Sequence, residues 1–125
     1  MQTNNLVVLA VDDDLINLKL LKSMLKKSDN VKEVIEAKNG SDAIGELKSR
    51  DDIDLVLLDI IMPVMGGIDM LKVVRADESL RQLPIIVLTT DETKKAEALE
   101  CGANGFLTKP IRNEELLKKI ATIIV

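Results

Sequence analysis

The sequence predicts an open α/β sheet of five parallel strands with helices on both faces. Short runs of Val, Ile and Leu show no polar alternation, the pattern of strands covered on both sides. Segments of helical periodicity separate those runs in strict order, which demands βαβ crossovers. Charged residues follow directly on three of the runs: Asp12, Asp13 and Asp14 on the first, Asp59 on the third and Lys109 on the last.

Leu6 to Val11 is the first apolar run. From Leu15 to Lys27, the residues Leu15, Leu18, Leu21, Met24 and Leu25 recur at helical spacing with lysines between them. Val31 to Ala37 reads as a short second strand. Ser41 to Arg50 reads as a helix with Ala43, Ile44 and Leu47 inward and Gly40 before its start. Ile53 to Leu58 is the third strand. After Asp59, Pro63, Gly66 and Gly67 mark a tight loop ahead of a helix from about Ile68 to Arg75. Pro84 precedes the fourth strand, Ile85 to Leu88. Glu92 to Cys101 is a helix stopped by Gly102, and Phe106 to Thr108 ends the fifth strand. Asn113 to about Ile124 closes the order as a helix with Leu116, Leu117, Ile120 and Ile123 or Ile124 on its apolar face.

No repeat, linker or low-complexity tract interrupts this order, so residues 1–125 are expected to form one domain with its core at about 6–124. Helices on both faces fit a flavodoxin-like strand order, 2-1-3-4-5, in which the ends of strands one and three flank the topological switch point. That order sets Asp12 and Asp13 opposite Asp59.

Composition removes several classes of function. The chain has 17 basic and 21 acidic residues, a net charge of -4 and no basic block, so no nucleic-acid footprint is visible and a protein partner is the better expectation. With no histidine, His-dependent acid/base chemistry and His-containing triads are excluded. The single cysteine, Cys101, forms no internal disulfide and no thiolate metal site, and is expected to pack as a small apolar residue. The apolar runs fall far short of the ~20 residues that span a bilayer, and the N-terminal MQTNN lacks the pattern of a signal peptide. A cytoplasmic protein without membrane contact is expected. GxxxxGK[ST] and GxGxxG are both missing, so nucleotide binding is unsupported.

What remains is a constellation. Three carboxylates gathered at one sheet edge repel one another unless a cation sits among them. Mg2+ suits such a group, because it takes oxygen ligands and usually only one or two carboxylates. Asp13 and Asp59 are expected as direct ligands and Asp12 as a ligand through water, while Asp14 reads as a helix cap. Asp59, beside the metal, is the carboxylate able to act as a nucleophile toward a phosphoryl group. Lys109 is expected to pair with Asp59 at rest and with a phosphoryl oxygen after transfer. The Thr89 hydroxyl and the backbone N–H of Thr90, at the end of strand four, are expected to donate to phosphoryl oxygens. Met62, Met65 and Met70 read as loop and core packing, and Lys94 and Lys95 with Glu92 and Glu97 as a solvated helix face.

These residues resemble the receiver domains of bacterial two-component response regulators. The likeness runs from about Leu6 to Ile124 and rests on VDDD at Val11 to Asp14, LLDIIMPVMGG at Leu57 to Gly67, LTT at Leu88 to Thr90 and GANGFLTKP at Gly102 to Pro110. It implies a signalling module and not a turnover enzyme. Asp59 would be the phosphoacceptor, served by a phosphohistidine on a histidine kinase or phosphotransfer protein. Asp12 and Asp13 would be the acidic pair for Mg2+, and the backbone carbonyl of Ile61 would complete its protein ligands. Thr89 and Lys109 would contact the phosphoryl group, and the Lys109 to Pro110 bond would be cis, as about 5% of X-Pro bonds are in folded proteins. Thr89 and Phe106 would be the switch pair that repacks the face made by helix four, strand five and helix five, toward a linked output domain or a downstream protein. Phe106 keeps the ring often found at this position as tyrosine but has no hydroxyl. Ile61 is apolar where some fast-cycling members carry an amide, which implies a longer phosphoryl lifetime. The step before Lys109 lacks the Asp-Asp-Tyr common in receivers attached to winged-helix DNA-binding domains, which argues against a dimer of that type.

Two other readings fit parts of the pattern. A phosphatase of the haloacid dehalogenase type would use Asp12 and Asp14 as its Asp-x-Asp motif with Thr89 and Lys109, but leaves Asp59 without a role. An interaction module that has lost signalling would not need every site residue in place.

Overall fold

A computed structural model describes residues 5–62 and 64–124 of the chain, so Pro63 and the MQTN start lie outside the described residues. The strands are β1 Leu6–Val11, β2 Val31–Ala37, β3 Leu55–Leu58, β4 Ile85–Thr89 and β5 Gly105–Thr108. The helices are α1 Leu15–Lys26, α2 Gly40–Ser49, α3 Gly67–Ala76, α4 Lys95–Glu100 and α5 Asn113–Ile124. All pairings are parallel, as the alternation of runs and helices requires, and the strand order is β2-β1-β3-β4-β5, the flavodoxin-like order expected.

Because successive strand residues point to opposite faces, the sheet carries two cores. Leu9, Val11, Val56, Leu58, Ile85 and Val87 face Ala43 and Leu47 of α2, Met70, Leu71 and Val74 of α3, and Ala98 of α4. Val8, Ala10, Leu55, Leu57, Ile86 and Leu88 face Leu18, Leu21 and Leu25 of α1 and Leu116 and Ile120 of α5. β1, β3 and β4 are buried throughout, which is why they read as unbroken apolar runs. β2 is an edge strand, and its exposed Lys32, Glu33 and Glu36 guard that edge against pairing with another chain.

Three expectations need correction. Leu15 does not join the buried stripe of α1; it is 60% exposed, because it sits in the first turn, beyond the rim of the sheet. The third strand begins at Leu55, not Ile53: the Asp54 carboxylate accepts the Val7 N–H at 2.8 Å, and its own N–H donates to the Val7 carbonyl at 2.8 Å. That exchange makes Asp54 part of the turn into β3. The fourth helix is not continuous from Glu92. A 3-10 turn covers Glu92–Lys94, capped by the Asp91 carboxylate accepting from Thr93 N at 3.0 Å, and the α-helix covers only Lys95–Glu100.

Opposite the edge that bears the aspartates, Arg75 anchors three segments. Its guanidinium donates to the carbonyls of Gly102, Arg81 and Leu83 and to the Asn104 side chain, at 2.7–3.0 Å. Gly102 has φ +106, and a Cβ there would meet Arg75 Cγ at 2.8 Å.

Candidate functional site

Parallel pairing brings the C-terminal ends of β1 and β3 together, with Val11 opposite Leu58. The chain then stays in ladder contact for one more step: Asp59 N donates to the Val11 carbonyl at 2.9 Å, and Asp12 N donates to the Ala37 carbonyl at 3.1 Å. These bonds fix the backbone of both aspartates, so their side chains project from the same rim. On the other side, Lys109 N donates to the Thr89 carbonyl at 2.8 Å, which sets the end of β5 beside the end of β4. The Lys109 to Pro110 bond is cis.

One ligand oxygen from each of Asp12, Asp13 and Asp59 lies within 4.8 Å of the others. Asp12 is buried, Asp59 is half-buried and Asp13 is exposed. Both Asp12 oxygens are already engaged: Oδ1 accepts the Asp14 N–H at 2.9 Å and Oδ2 the Lys109 ammonium at 2.7 Å. Asp14 stands apart from the cluster. Its carboxylate accepts the Ile16 N–H at 2.9 Å as the N-cap of α1, the capping role expected for it, so Asp12 and Asp14 do not converge as an Asp-x-Asp pair.

Lys109 lies 3.5 Å from Asp59 Oδ2, farther than from Asp12. The expected Lys109–Asp59 pair therefore exists, but as the longer arm of a bridge whose tighter partner is Asp12. Burial pushes the Asp59 carboxyl above its ordinary value; Lys109 pulls it back, the Asp12 charge raises it further, and the N–H groups of Ile61 and Ile60 oppose the rise. One lysine among three carboxylates leaves a net negative concavity open at Asp13.

Thr89 is fully buried at the end of β4, and its hydroxyl oxygen accepts the Asp91 N–H at 3.3 Å. Thr90 is exposed directly after it, and Ile61 is exposed two residues past Asp59. Phe106 is half-buried against the α2–α3–α4 core, one strand over from Val87. Thr89 pairs with Thr108, two residues beyond Phe106, so the threonine hydroxyl and the ring share one corner of the sheet.

Two supports were not foreseen from the sequence. The Lys109–Asp12 contact joins residues 97 positions apart, and no spacing rule marks it. Gly67 comes so close to the loop that a Cβ there would lie 2.8 Å from Ile60 Cα, and Gly67 N donates to the Ile60 carbonyl at 2.9 Å. The Gly66–Gly67 pair was the available signal for that close approach.

Comparison with known proteins agrees with this geometry. A family model for the response regulator receiver domain matches residues 8–121. Chemotaxis protein CheY1 of Helicobacter pylori is 34% identical over 120 residues, covering 94% of this chain and 95% of the relative. Other relatives are longer, and the chain spans 18% of a matched two-component response regulator of Arabidopsis thaliana. Among solved structures, chemotaxis protein CheY4 of Vibrio cholerae superposes with a TM-score of 0.86 at 33% identity, covering 95% of this chain and 98% of that one. The receiver domain of a Pseudomonas aeruginosa sensor histidine kinase, solved with a magnesium ion coordinated in its active site cleft, also has a TM-score of 0.86, at 27% identity, covering 96% of this chain and 98% of that one. The sheet order, the rim of aspartates and these matches together place the chain in the response regulator receiver domain family of two-component signalling.

Proposed function

We propose that Asp59 accepts a phosphoryl group from a phosphohistidine on a histidine kinase or phosphotransfer protein, with Mg2+ held by the neighbouring carboxylates. The observation that carries this reading is the convergence of Asp12, Asp13 and Asp59 oxygens within 4.8 Å with the Lys109 ammonium 3.5 Å from Asp59. The donor set consists of hard carboxylate oxygens, which suits Mg2+. Asp13 and Asp59 are the direct ligands together with the Ile61 carbonyl. Asp12, whose oxygens are held by Lys109 and Asp14 N–H, acts through water. Bound Mg2+ supplies charge neutralisation at the phosphoryl oxygens.

In the transfer, an Asp59 oxygen forms a bond to phosphorus as the P–N bond of the phosphohistidine breaks, and the imidazole nitrogen leaves with the electron pair. Lys109, Thr89 and the Thr90 N–H receive the phosphoryl oxygens. The Thr89 hydroxyl turns from the Asp91 N–H toward the new anion, and Phe106 moves into the space it leaves. The α4–β5–α5 face thereby reports a charge event to an output domain or a downstream protein. The domain occupies the whole of residues 1–125, works in the cytoplasm, and turns over no external substrate.

Intact mass after incubation with acetyl phosphate tests the reading. One added phosphoryl group, dependent on Mg2+ and missing in Asp59→Asn, is the expected result. No adduct under any condition would leave an interaction module, and steady phosphate release without Asp59 would indicate a phosphatase.

A further inference from the structure

Val64 has φ +67, a left-handed backbone that a β-branched residue rarely adopts. Its side chain is 85% exposed, so no packing of its own holds it in that conformation. The strain lies five residues past Asp59, in the loop that leads from the aspartate to α3. A neighbour must hold it.

Two backbone bonds pin this loop among the described residues. Gly67 N donates to the Ile60 carbonyl at 2.9 Å, and Gly40 N, at the start of α2, donates to the Met65 carbonyl at 3.0 Å. The second bond sits inside a close contact: a Cβ on Gly40 would lie 2.8 Å from Cγ and 2.8 Å from the carbonyl oxygen of Met65. Glycine at position 40 is thus a notch that the backbone and side chain of Met65 fill together. Beyond the notch, the Met65 side chain is half-buried against the α2–α3–α4 core.

An unbranched thioether fills such an irregular seat well. Half-buried, it is also within reach of a small oxidant. Met70 is fully buried in the same core, and Met24 packs on the other face of the sheet, on α1. Met62 is half-buried against the same core, but the bond to α2 starts from Met65.

Building on the assignment of Asp59 as acceptor, we propose that Met65 is an oxidation site that governs how well Asp59 takes a phosphoryl group. The oxidant is a hydroperoxide. A lone pair on Met65 Sδ attacks the outer peroxide oxygen, and an S–O bond forms as the O–O bond breaks. The departing oxygen leaves with the electron pair and takes the proton of the transferred one, so the thioether is oxidised to a sulfoxide and the hydroperoxide is reduced to water or an alcohol. A sulfoxide oxygen is a strong hydrogen-bond acceptor and does not stay against an apolar core without a donor. As the side chain turns out to water, the notch at Gly40 empties, the Met65–Gly40 bond is lost and Val64 relaxes from its left-handed conformation. The segment after Asp59 then loses its position beside Asp13 and Lys109.

The test uses the full chain carrying Cys101→Ala, so that the one thiol consumes no oxidant. After hydrogen peroxide, with the excess removed by catalase, peptide mass mapping is expected to place one added oxygen on Met65 before Met70 gains any. Mg2+-dependent labelling by acetyl phosphate should then fall several-fold while circular dichroism shows the protein still folded. Hydrogen exchange should quicken at Gly40 and at residues 64–67. Met65→Leu keeps the apolar bulk without the sulfur, and should label at the same rate before and after peroxide. Met24→Leu/Met62→Leu leaves Met65 in place and should still lose labelling, which methionine sulfoxide reductases should restore. Met65 left untouched by peroxide would overturn the proposal, as would unaltered labelling of protein oxidised there. So would a loss that persists in Met65→Leu or that accompanies unfolding. Failure of the acceptor assignment is read separately, as unoxidised protein that acetyl phosphate does not label at Asp59, and exchange at Gly40 then tests the anchor on its own.

Discussion

Lys109 Nζ lies 2.7 Å from Asp12 Oδ2 and 3.5 Å from Asp59 Oδ2, so a single ammonium ties β1 to the end of β5 and reaches the proposed acceptor, Asp59, only secondarily. The pair with Asp12 is well buried, with side-chain exposures of 15% and 2%. Removing one member of such a pair strands the other charge in a poorly solvated site. Lys109→Ala should therefore cost about 3 kcal/mol in urea unfolding without metal. Combining it with Asp12→Asn should recover much of the loss, because the stranded charge is then gone. Strict additivity of the two substitutions would show that the bridge contributes little.

Asp59 leads to a prediction of opposite sign. Its folded-state pKa is raised, first by burial and then by the Asp12 charge, so the folded protein holds this proton more readily than the unfolded chain. The associated stability is present at low pH and is lost as pH rises through about 4 and above, where the carboxylate ionises inside the site. At neutral pH without metal, Asp59→Asn should accordingly raise the melting temperature by a few degrees, and the gain should shrink in Mg2+ because the cation relieves the same repulsion. Thermal melts of both proteins in EDTA and in Mg2+ decide this. A lower melting temperature for the variant in EDTA would contradict it.

Ile61 is 59% exposed and sits two residues past Asp59, where its side chain would offer no hydrogen bond to a water attacking the proposed acyl phosphate. Ile61→Asn supplies an amide at that point and should shorten the phosphoryl lifetime several-fold, measured as decay of the mass adduct after donor removal. The exposed position makes the change neutral for folding, so the melting temperature serves as a control. An unchanged or longer lifetime would remove Ile61 from any role in hydrolysis.

β1, β2 and α5 coincide residue for residue with the segments read for them: β1 is an apolar run that Asp12 ends, β2 lies between Asn30 and Lys38, and α5 begins at Asn113 with an unbroken helical period. The aspartate rim was equally legible, since strand ends in this order must converge. Departures arise where a side chain competes with the backbone. Asp54 captures Val7 N–H and delays β3, and Asp91 caps a 3-10 turn that splits the fourth helical segment. Leu15 obeys the helical period yet finds no strand beneath it, a fact of sheet width and not of sequence. Which carboxylate Lys109 prefers was not legible either, because differences of under an ångström among three neighbours are set by packing at the ends of β1 and β5.

Gly67 offers the sharpest link between packing and Asp59. A Cβ at this position would meet the backbone of Asp59, the proposed acceptor, and of Ile60 after it, at 2.8 Å from Ile60 Cα, and backbone has no flexible end to move aside. Gly67→Ala should displace the Asp59–Ile60 segment, cost about 2–3 kcal/mol as an overpacked site does, and slow labelling by acetyl phosphate. Gly45→Ala is the matched control within α2. A Cβ there meets nothing within 4 Å, so alanine should stabilise the protein by about 0.5–1 kcal/mol and leave labelling untouched. If Gly67→Ala kept both its stability and its labelling rate, the loop after β3 would be compliant enough to absorb a methyl group, and the position of Asp59 would have to be held by the ladder bond to Val11 alone.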